Sequence, residues 1–117
     1  MLEDAAGIRR VILCCGYCDL RKGILGLAQI VGTTYKLNPY EQGTLFLFCG
    51  NKRNCIKGIC FDRDGCCMIV KRLTDGVYQW PRNTDEAMAL SQDEFHRLME
   101  GFTVQSSIRV FERKNQQ

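Results

Sequence analysis

Eight basic side chains fall in short runs between residues 21 and 82: Arg21-Lys22, Lys52-Arg53 followed by Lys57, Lys71-Arg72, and Arg82. Lysines and arginines gathered on a stable surface suit the neutralisation of phosphate oxygens. Their settings fit it. "GNKRNC" (50–55) holds Lys52 and Arg53 in a loop rich in Gly and Asn, and "WPR" (80–82) sets Trp80 and Pro81 beside Arg82. Trp80 itself reads as a core residue rather than an exposed stacking platform. "CDLRKG" (18–23) is more pointed. If Asp19 caps a helix, Arg21 and Lys22 occupy its first turn, where the macrodipole disfavours each exposed cation by roughly 0.3–1 kcal/mol. Such a pair is either neutralised internally, with Arg21 bridging Asp19 or a strand carboxylate, or kept for an external anion.

Other chemistries find less support. Cys15-x-x-Cys18 has a zinc-ligand spacing, but Cys49, Cys55, Cys60 and Cys66 supply no second close pair, and His96 is the lone histidine. The eight cysteines therefore read as reduced thiols used as small hydrophobes, with neither metal nor cofactor expected. Asp62-Arg63-Asp64 resembles a carboxylate pair for metal-assisted cleavage, yet Asp residues ahead of Gly65 are what a hairpin turn needs. No Gly-x-Ser-x-Gly and no phosphate-cradling glycine loop is present, so the expectation is a protein that is not an enzyme.

The 117 residues carry a formal net charge of +3, distributed unevenly: +1 over residues 1–49, +4 over 50–82 and −2 over 83–117. Hydrophobic residues make up 45% and charged residues 25%, which suits one folded domain spanning 1–117 and argues against disorder. No apolar run approaches the roughly 18 residues of a membrane span, and the first residues lack a signal-peptide pattern. A cytoplasmic protein without a membrane partner is expected.

The elements that must position the cations follow from periodicity. "GIRRVILCCG" (7–16) reads as a strand. Leu20, Ile24, Leu27, Ala28, Val31 and Tyr35 form a helical stripe, giving a helix of about fifteen residues. "TLFLFCG" (44–50), "CIKGICFD" (55–62), "CCMIVKRL" (66–73) and "VYQW" (77–80) read as strands of an antiparallel meander, with "RDG" and Asp75-Gly76 as turns. Ser91 and Glu94 form a capping box and Leu90 with Phe95 a hydrophobic staple, opening a second helix that Gly101 ends. "SIRVFERK" (107–114) reads as an edge strand before a polar tail at 112–117. The order β-α-β-β-β-β-α-(β) predicts an α+β domain, a twisted antiparallel sheet of about five strands packed against two helices.

"GYCDLRKGILGLAQIV" (16–31), "GTLFLFCGNKRNCIKGICFDRDG" (43–65), "KRL" (71–73), "GVYQWPR" (76–82) and "LSQDEFHRLMEG" (90–101) together resemble, in order and spacing, the TnpB (Orf2-type) accessory proteins of insertion-sequence-66 family transposable elements. The resemblance spans about residues 7–102. It implies a role in bacterial DNA transposition beside a separate, larger transposase, which becomes the expected protein partner. Matched motif positions are Asp19, Arg21 and Lys22 (Asp-x-Arg-Lys), Lys57, Lys71-Arg72 (Lys-Arg-Leu) and Trp80-Pro81-Arg82. Cys18, Cys60 and Cys66-Cys67 depart from the family pattern by replacing polar or larger apolar residues. Two functions fit: weakly sequence-specific DNA-backbone binding through Arg21, Lys22, Lys52, Arg53, Lys57, Lys71, Arg72 and Arg82, or docking on the transposase without touching DNA.

Overall fold

The structure, a computed structural model, describes residues 7–82 and 86–100. Arg10–Tyr17 forms β1, buried from Val11 to Gly16. A turn at 18–23 leads into α1, Ile24–Thr33, and the chain returns as β2, Thr44–Cys49, in which every residue is buried. Such unbroken apolar runs belong to strands covered on both faces. β3, Cys55–Phe61, and β4, Cys66–Arg72, form a hairpin, and β5, Ala87–Leu90, precedes α2, Gln92–Met99. The sheet order is β4-β3-β2-β1-β5. Five strands and two helices in this order make the α+β domain that the sequence predicts.

Two details of the expected arrangement change. β1 and β2 are parallel, pairing Arg10 with Thr44 through Leu13 with Leu47, so the sheet is mixed; the other pairings are antiparallel. The cause is α1 between them, because a helical crossover brings the chain back to run the same way. The stretch 77–80 is not a strand. Tyr78 donates its N–H to the Arg53 carbonyl at 2.7 Å, and the Trp80 indole Nε1–H donates to the Cys14 carbonyl at 2.9 Å. Both rings are buried against the sheet, 1% and 5% exposed. Burying two large rings on a sheet face outweighs extending its edge. β5 instead pairs antiparallel with the other side of β1.

α1 spans ten residues rather than about fifteen. The Thr34 N–H closes on the Ile30 carbonyl and Lys36 takes φ 59°, so the chain turns away before Tyr35 could extend the helix. The Tyr35 hydroxyl donates to the Cys15 carbonyl. α2 begins as expected: the Ser91 hydroxyl accepts from the Glu94 N–H at 3.1 Å, and Glu94 Oε1 accepts from the Ser91 N–H at 2.8 Å. The expected stop at Gly101, the strand at 107–114 and the tail at 112–117 lie outside the described residues.

Alternation along the strands builds a core on each face. Val11, Leu13, Leu45, Leu47 and Ile56 meet Tyr78, Trp80, Phe95 and Leu98 on the α2 face, while Ile12, Phe46, Phe48 and Ile59 meet Leu27, Ala28 and Val31 on the α1 face. Gly58 is required at the centre of the α2 face, where a Cβ would come within 2.9 Å of Ile69 Cγ1 and Leu47 Cδ2. Cysteines fill both layers, and all eight are free thiols. Cys15 belongs to the α2-face core and Cys18 packs against the α1-face core, so their ligand spacing does not converge. Among the described residues no three His, Cys, Asp or Glu side chains gather as a metal site.

Burial also sets a pH dependence. Desolvation pushes the Cys49 thiol up to about 12 and those of Cys18 and Cys60 up to about 11, from an ordinary value of 9.0. The native state thus holds these protons where the unfolded chain has begun to release them. Their contribution to stability is complete below pH 9.0 and is lost as pH climbs toward those raised values. In reducing buffer, the midpoint of thermal unfolding followed by circular dichroism is expected to fall steadily from pH 9 upward.

Candidate nucleic-acid interface

Strand direction decides where the cations go. β1, β2 and β4 finish at one end of the sheet, and β3 and β5 start there. The connections 18–23 and 50–54, and the described residues 73–82 and 86 between β4 and β5, therefore share that end. So do Arg21, Lys22, Lys52, Arg53, Lys57, Lys71, Arg72 and Arg82, every one of the sequence-predicted basic residues. The described carboxylates on those connecting segments are Asp19, Asp75 and Glu86. The opposite end carries Arg9, Arg10, Lys36 and Arg63 among Glu41, Asp62, Asp64, Asp93 and Glu94.

At the basic end lies a groove of about 670 Å³, lined in part by Arg21, Lys52, Lys57 and Arg72. Three chain segments supply these four cations. Lys57 and Arg72 share a face because the β3–β4 register sets Lys57 opposite Val70 and Cys55 opposite Arg72. Asp19 is the only carboxylate among the lining residues. Lys52 and Arg72 are exposed, Lys57 half-buried. Among the described residues, neither of them nor Lys57 has a carboxylate within ion-pair distance, the pairs being Arg10–Glu41 and Arg21–Asp19.

The other four lie at the same end of the sheet but do not line the groove. Lys71 lies opposite Ile56, which places it on the α2 face. Lys22 runs beside α1, with its stem against Gly26. Arg53 takes φ 64° at the hairpin tip. Arg82 is exposed beyond buried Pro81, whose carbonyl accepts the Gly16 N–H at 2.7 Å. Trp80 and Pro81 are thus structural, and neither lines the groove.

The reading of Asp19 as a helix cap is corrected. Gly23 is the N-cap of α1 and makes no side-chain cap bond. Asp19 instead builds the turn ahead of the helix: its Oδ1 accepts the Arg21 N–H at 2.9 Å, and its carbonyl accepts the Lys22 N–H at 3.3 Å. Arg21 and Lys22 consequently precede the first helical turn. The guanidinium of Arg21 grips the same carboxylate with Nε at 2.9 Å from Oδ1 and Nη2 at 2.8 Å from Oδ2. Hydrogen bonds from Arg21 hold the Asp19 carboxyl well below the usual carboxylate range. One of the four groove cations thus has an internal counter-ion, and it is also the most exposed partner, with 91% of its side chain open to solvent.

Asp62 serves as the turn residue, its Oδ1 accepting from Asp64 N–H at 3.0 Å and Gly65 N–H at 2.8 Å. Sequence reasoning passed over the uncharged lining: Asn51 and Asn54, which offer amide donors, and Leu20 and Val70, which make part of the floor apolar. The Gly- and Asn-rich hairpin was the available signal for the first pair. Nothing local marks Val70, whose exposure of 54% depends on how far α1 reaches.

Most of the chain is similar to known proteins. Two relatives come from Sinorhizobium fredii (strain NBRC 101917 / NGR234): "Uncharacterized protein y4hO" is 37% identical over 101 residues, 86% of each chain. "Uncharacterized protein y4jC" is 29% identical over 101 residues, 86% of this chain and 85% of the relative. No solved structure matches. A family model described as "IS66 Orf2 like protein" matches residues 9–109, and the chain belongs to that family of accessory proteins of insertion-sequence transposition.

Proposed function

We propose that the protein is a non-catalytic, cytoplasmic accessory factor of transposition that holds DNA by its phosphate backbone at the basic end of the sheet. One observation carries this reading: Arg21, Lys52, Lys57 and Arg72 arrive from three separate segments to line one groove whose single lining carboxylate is Asp19. Phosphate contacts of this kind fix position and orientation and leave sequence choice to another component, here the transposase of the same element. Lys22 and Arg53 extend the cationic surface beside the groove, while Lys71, on the other face, and Arg82 add positive charge at the same end of the sheet. The uncapped start of α1 at Gly23 adds backbone N–H groups near it.

A second reading is an adaptor that docks on the transposase without DNA. The apolar Leu20 and Val70 in the groove favour it, since a protein partner would cover them. Co-purification of tagged full-length protein with the transposase, with and without nuclease treatment, separates the two. Association that nuclease abolishes, together with direct binding of a labelled duplex, supports the DNA reading. Nuclease-resistant association without duplex binding supports the adaptor and overturns it.

The Asp19–Arg21 pair provides a test of opposite sign to charge removal. Asp19→Asn keeps a side-chain acceptor for the turn and releases Arg21. Duplex affinity measured by fluorescence anisotropy at low salt is expected to rise about two- to fivefold, as the removal of one repelling charge near several phosphates should give.

A further inference from the structure

The sheet finishes on one side in a strand whose outer edge has no partner among the described residues: β4 pairs with β3 alone. The register tells which backbone groups face outward. The Leu73 N–H bonds the Asn54 carbonyl, and the Gly65 carbonyl accepts from the Asp62 N–H. Odd-numbered residues of the β4 side therefore bond to β3, and in an antiparallel pair the residues between them turn both backbone groups away. Cys66, Met68, Val70 and Arg72 present their N–H and C=O to the outside.

Natural sheets protect such an edge with proline, charge, a bulge or a covering element. Cys66–Val70, "CCMIV", contains no proline and no charge, and the β3–β4 register is unbroken over seven residues. No β4 residue belongs to the buried core beneath α1. Met68 and Val70 are left 38% and 54% exposed on that face. The other edge, β5, is only four residues long.

We infer that β4 pairs antiparallel with β4 of a second copy, about a two-fold axis at Ile69. This register is the one that overlaps the strand completely. Cys66 lies opposite the partner's Arg72, Cys67 opposite the partner's Lys71, and Met68 opposite the partner's Val70. The outward residues all fall at hydrogen-bonded positions, giving on the order of eight backbone bonds across the seam. The two exposed apolar side chains become cross-strand neighbours, and no cation faces a cation, an apposition that destabilises a sheet. Centring the axis on Lys71 would oppose the two Lys71 side chains and leave half the strand unpaired. An isologous contact of this kind uses both β4 edges and closes at two copies.

The pairing stands apart from the nucleic-acid reading, but it has a consequence for it. A two-fold axis perpendicular to the sheet keeps both α1 faces on one side, so both grooves open on the same surface of a ten-stranded sheet. Arg72 and the partner's Arg72 are then separated by six residues of strand, about 20 Å.

Sedimentation of the full chain in reducing buffer tests the inference, because exposed Cys66 must not be allowed to cross-link copies. The expected result is a species of twice 13.4 kDa at high micromolar concentration. Val70→Pro removes an outward N–H and no β3–β4 bond, a substitution edge strands tolerate. It is expected to sediment as a monomer with unchanged circular dichroism. Met68→Lys/Val70→Lys keeps the backbone and is expected to weaken self-association by at least about tenfold, or 1.4 kcal/mol; it decides the matter if the proline variant does not fold. A wild-type monomer at every concentration overturns the inference, whether the edge is then free or covered by residues 101–117. A dimer that survives the folded variants overturns it equally.

Discussion

Trp80→Ala is expected to destabilise the protein by about 3–5 kcal/mol, the usual range for removing a large buried aromatic. Two effects combine. The indole is 5% exposed in the core of the α2 face, among Tyr78, Phe95 and Leu98, so its loss leaves a cavity that neighbours on a sheet cannot close. Its Nε1–H also donates to the Cys14 carbonyl at 2.9 Å, and a buried carbonyl left without a donor costs about 1–3 kcal/mol. Against a total stability of roughly 5–15 kcal/mol, such a loss empties much of the margin, and a fall in thermal midpoint on the order of 15 °C follows. Trp80→Phe isolates the hydrogen bond and should cost about 1–2 kcal/mol. Both are read by chemical denaturation followed by circular dichroism. Trp80 is the single tryptophan, which allows a second check: its emission should be that of a buried indole and stay unchanged when DNA is added.

The second large effect concerns binding with the fold intact. Lys57→Gln/Arg72→Gln is expected to weaken duplex binding about a hundredfold. A charge-assisted hydrogen bond contributes roughly 1.5 kcal/mol or more, close to tenfold in affinity for each cation removed. Arg72 is exposed and Lys57 half-buried, with no carboxylate of the described residues paired to either, so the thermal midpoint should stay near the wild-type value. Lys36→Gln/Arg63→Gln changes net charge equally at the opposite end of the sheet, where Asp62, Asp64 and Glu41 also lie. Its affinity is expected to stay within about threefold of wild type, the difference that long-range screened charge allows. Equal losses in the two double variants would mean that net charge, and not the groove, governs binding.

Much of this architecture was legible in the sequence because its signals are local. The capping box at Ser91 and Glu94 forms as read, and "RDG" at 63–65 gives a hairpin held by Asp62. The apolar runs in β1 to β3 became strands, with Trp80 in the core. The errors have two physical causes: a competing local turn at Asp19 and, for the strands, partners distant in the chain. Asp19 looked like a cap because Ser, Thr, Asp and Asn favour that position. The same side chain also closes a tight turn with Arg21, which moved the helix start to Ile24. "VYQW" has strand composition, but its rings found burial on the α2 face, and the short "AMAL" took the edge beside β1. Parallel pairing of β1 with β2 was implied by strand, helix, strand, and was outweighed by the hairpins that follow.

The basic end was half legible. Residue types marked all eight cations, and strand direction then placed them at one end of the sheet. Which four share the groove was not readable without the β3–β4 register, which sends Lys57 and Arg72 to one face and Lys71 to the other. Val70 and Asn54 entered the site by the same geometry and carry no signature of their own.

The dependence of duplex affinity on salt tests the central claim most directly. Each phosphate neutralised on a duplex contributes about −0.9 to the slope of log K against log salt. Wild-type protein should show a steep negative slope. The variant Arg21→Gln/Lys52→Gln/Lys57→Gln/Arg72→Gln should be shallower by about three to four, the lower figure applying where Asp19 already occupies Arg21. Equal slopes for the two proteins, or wild-type affinity indifferent to salt, would contradict a phosphate-binding role for the groove.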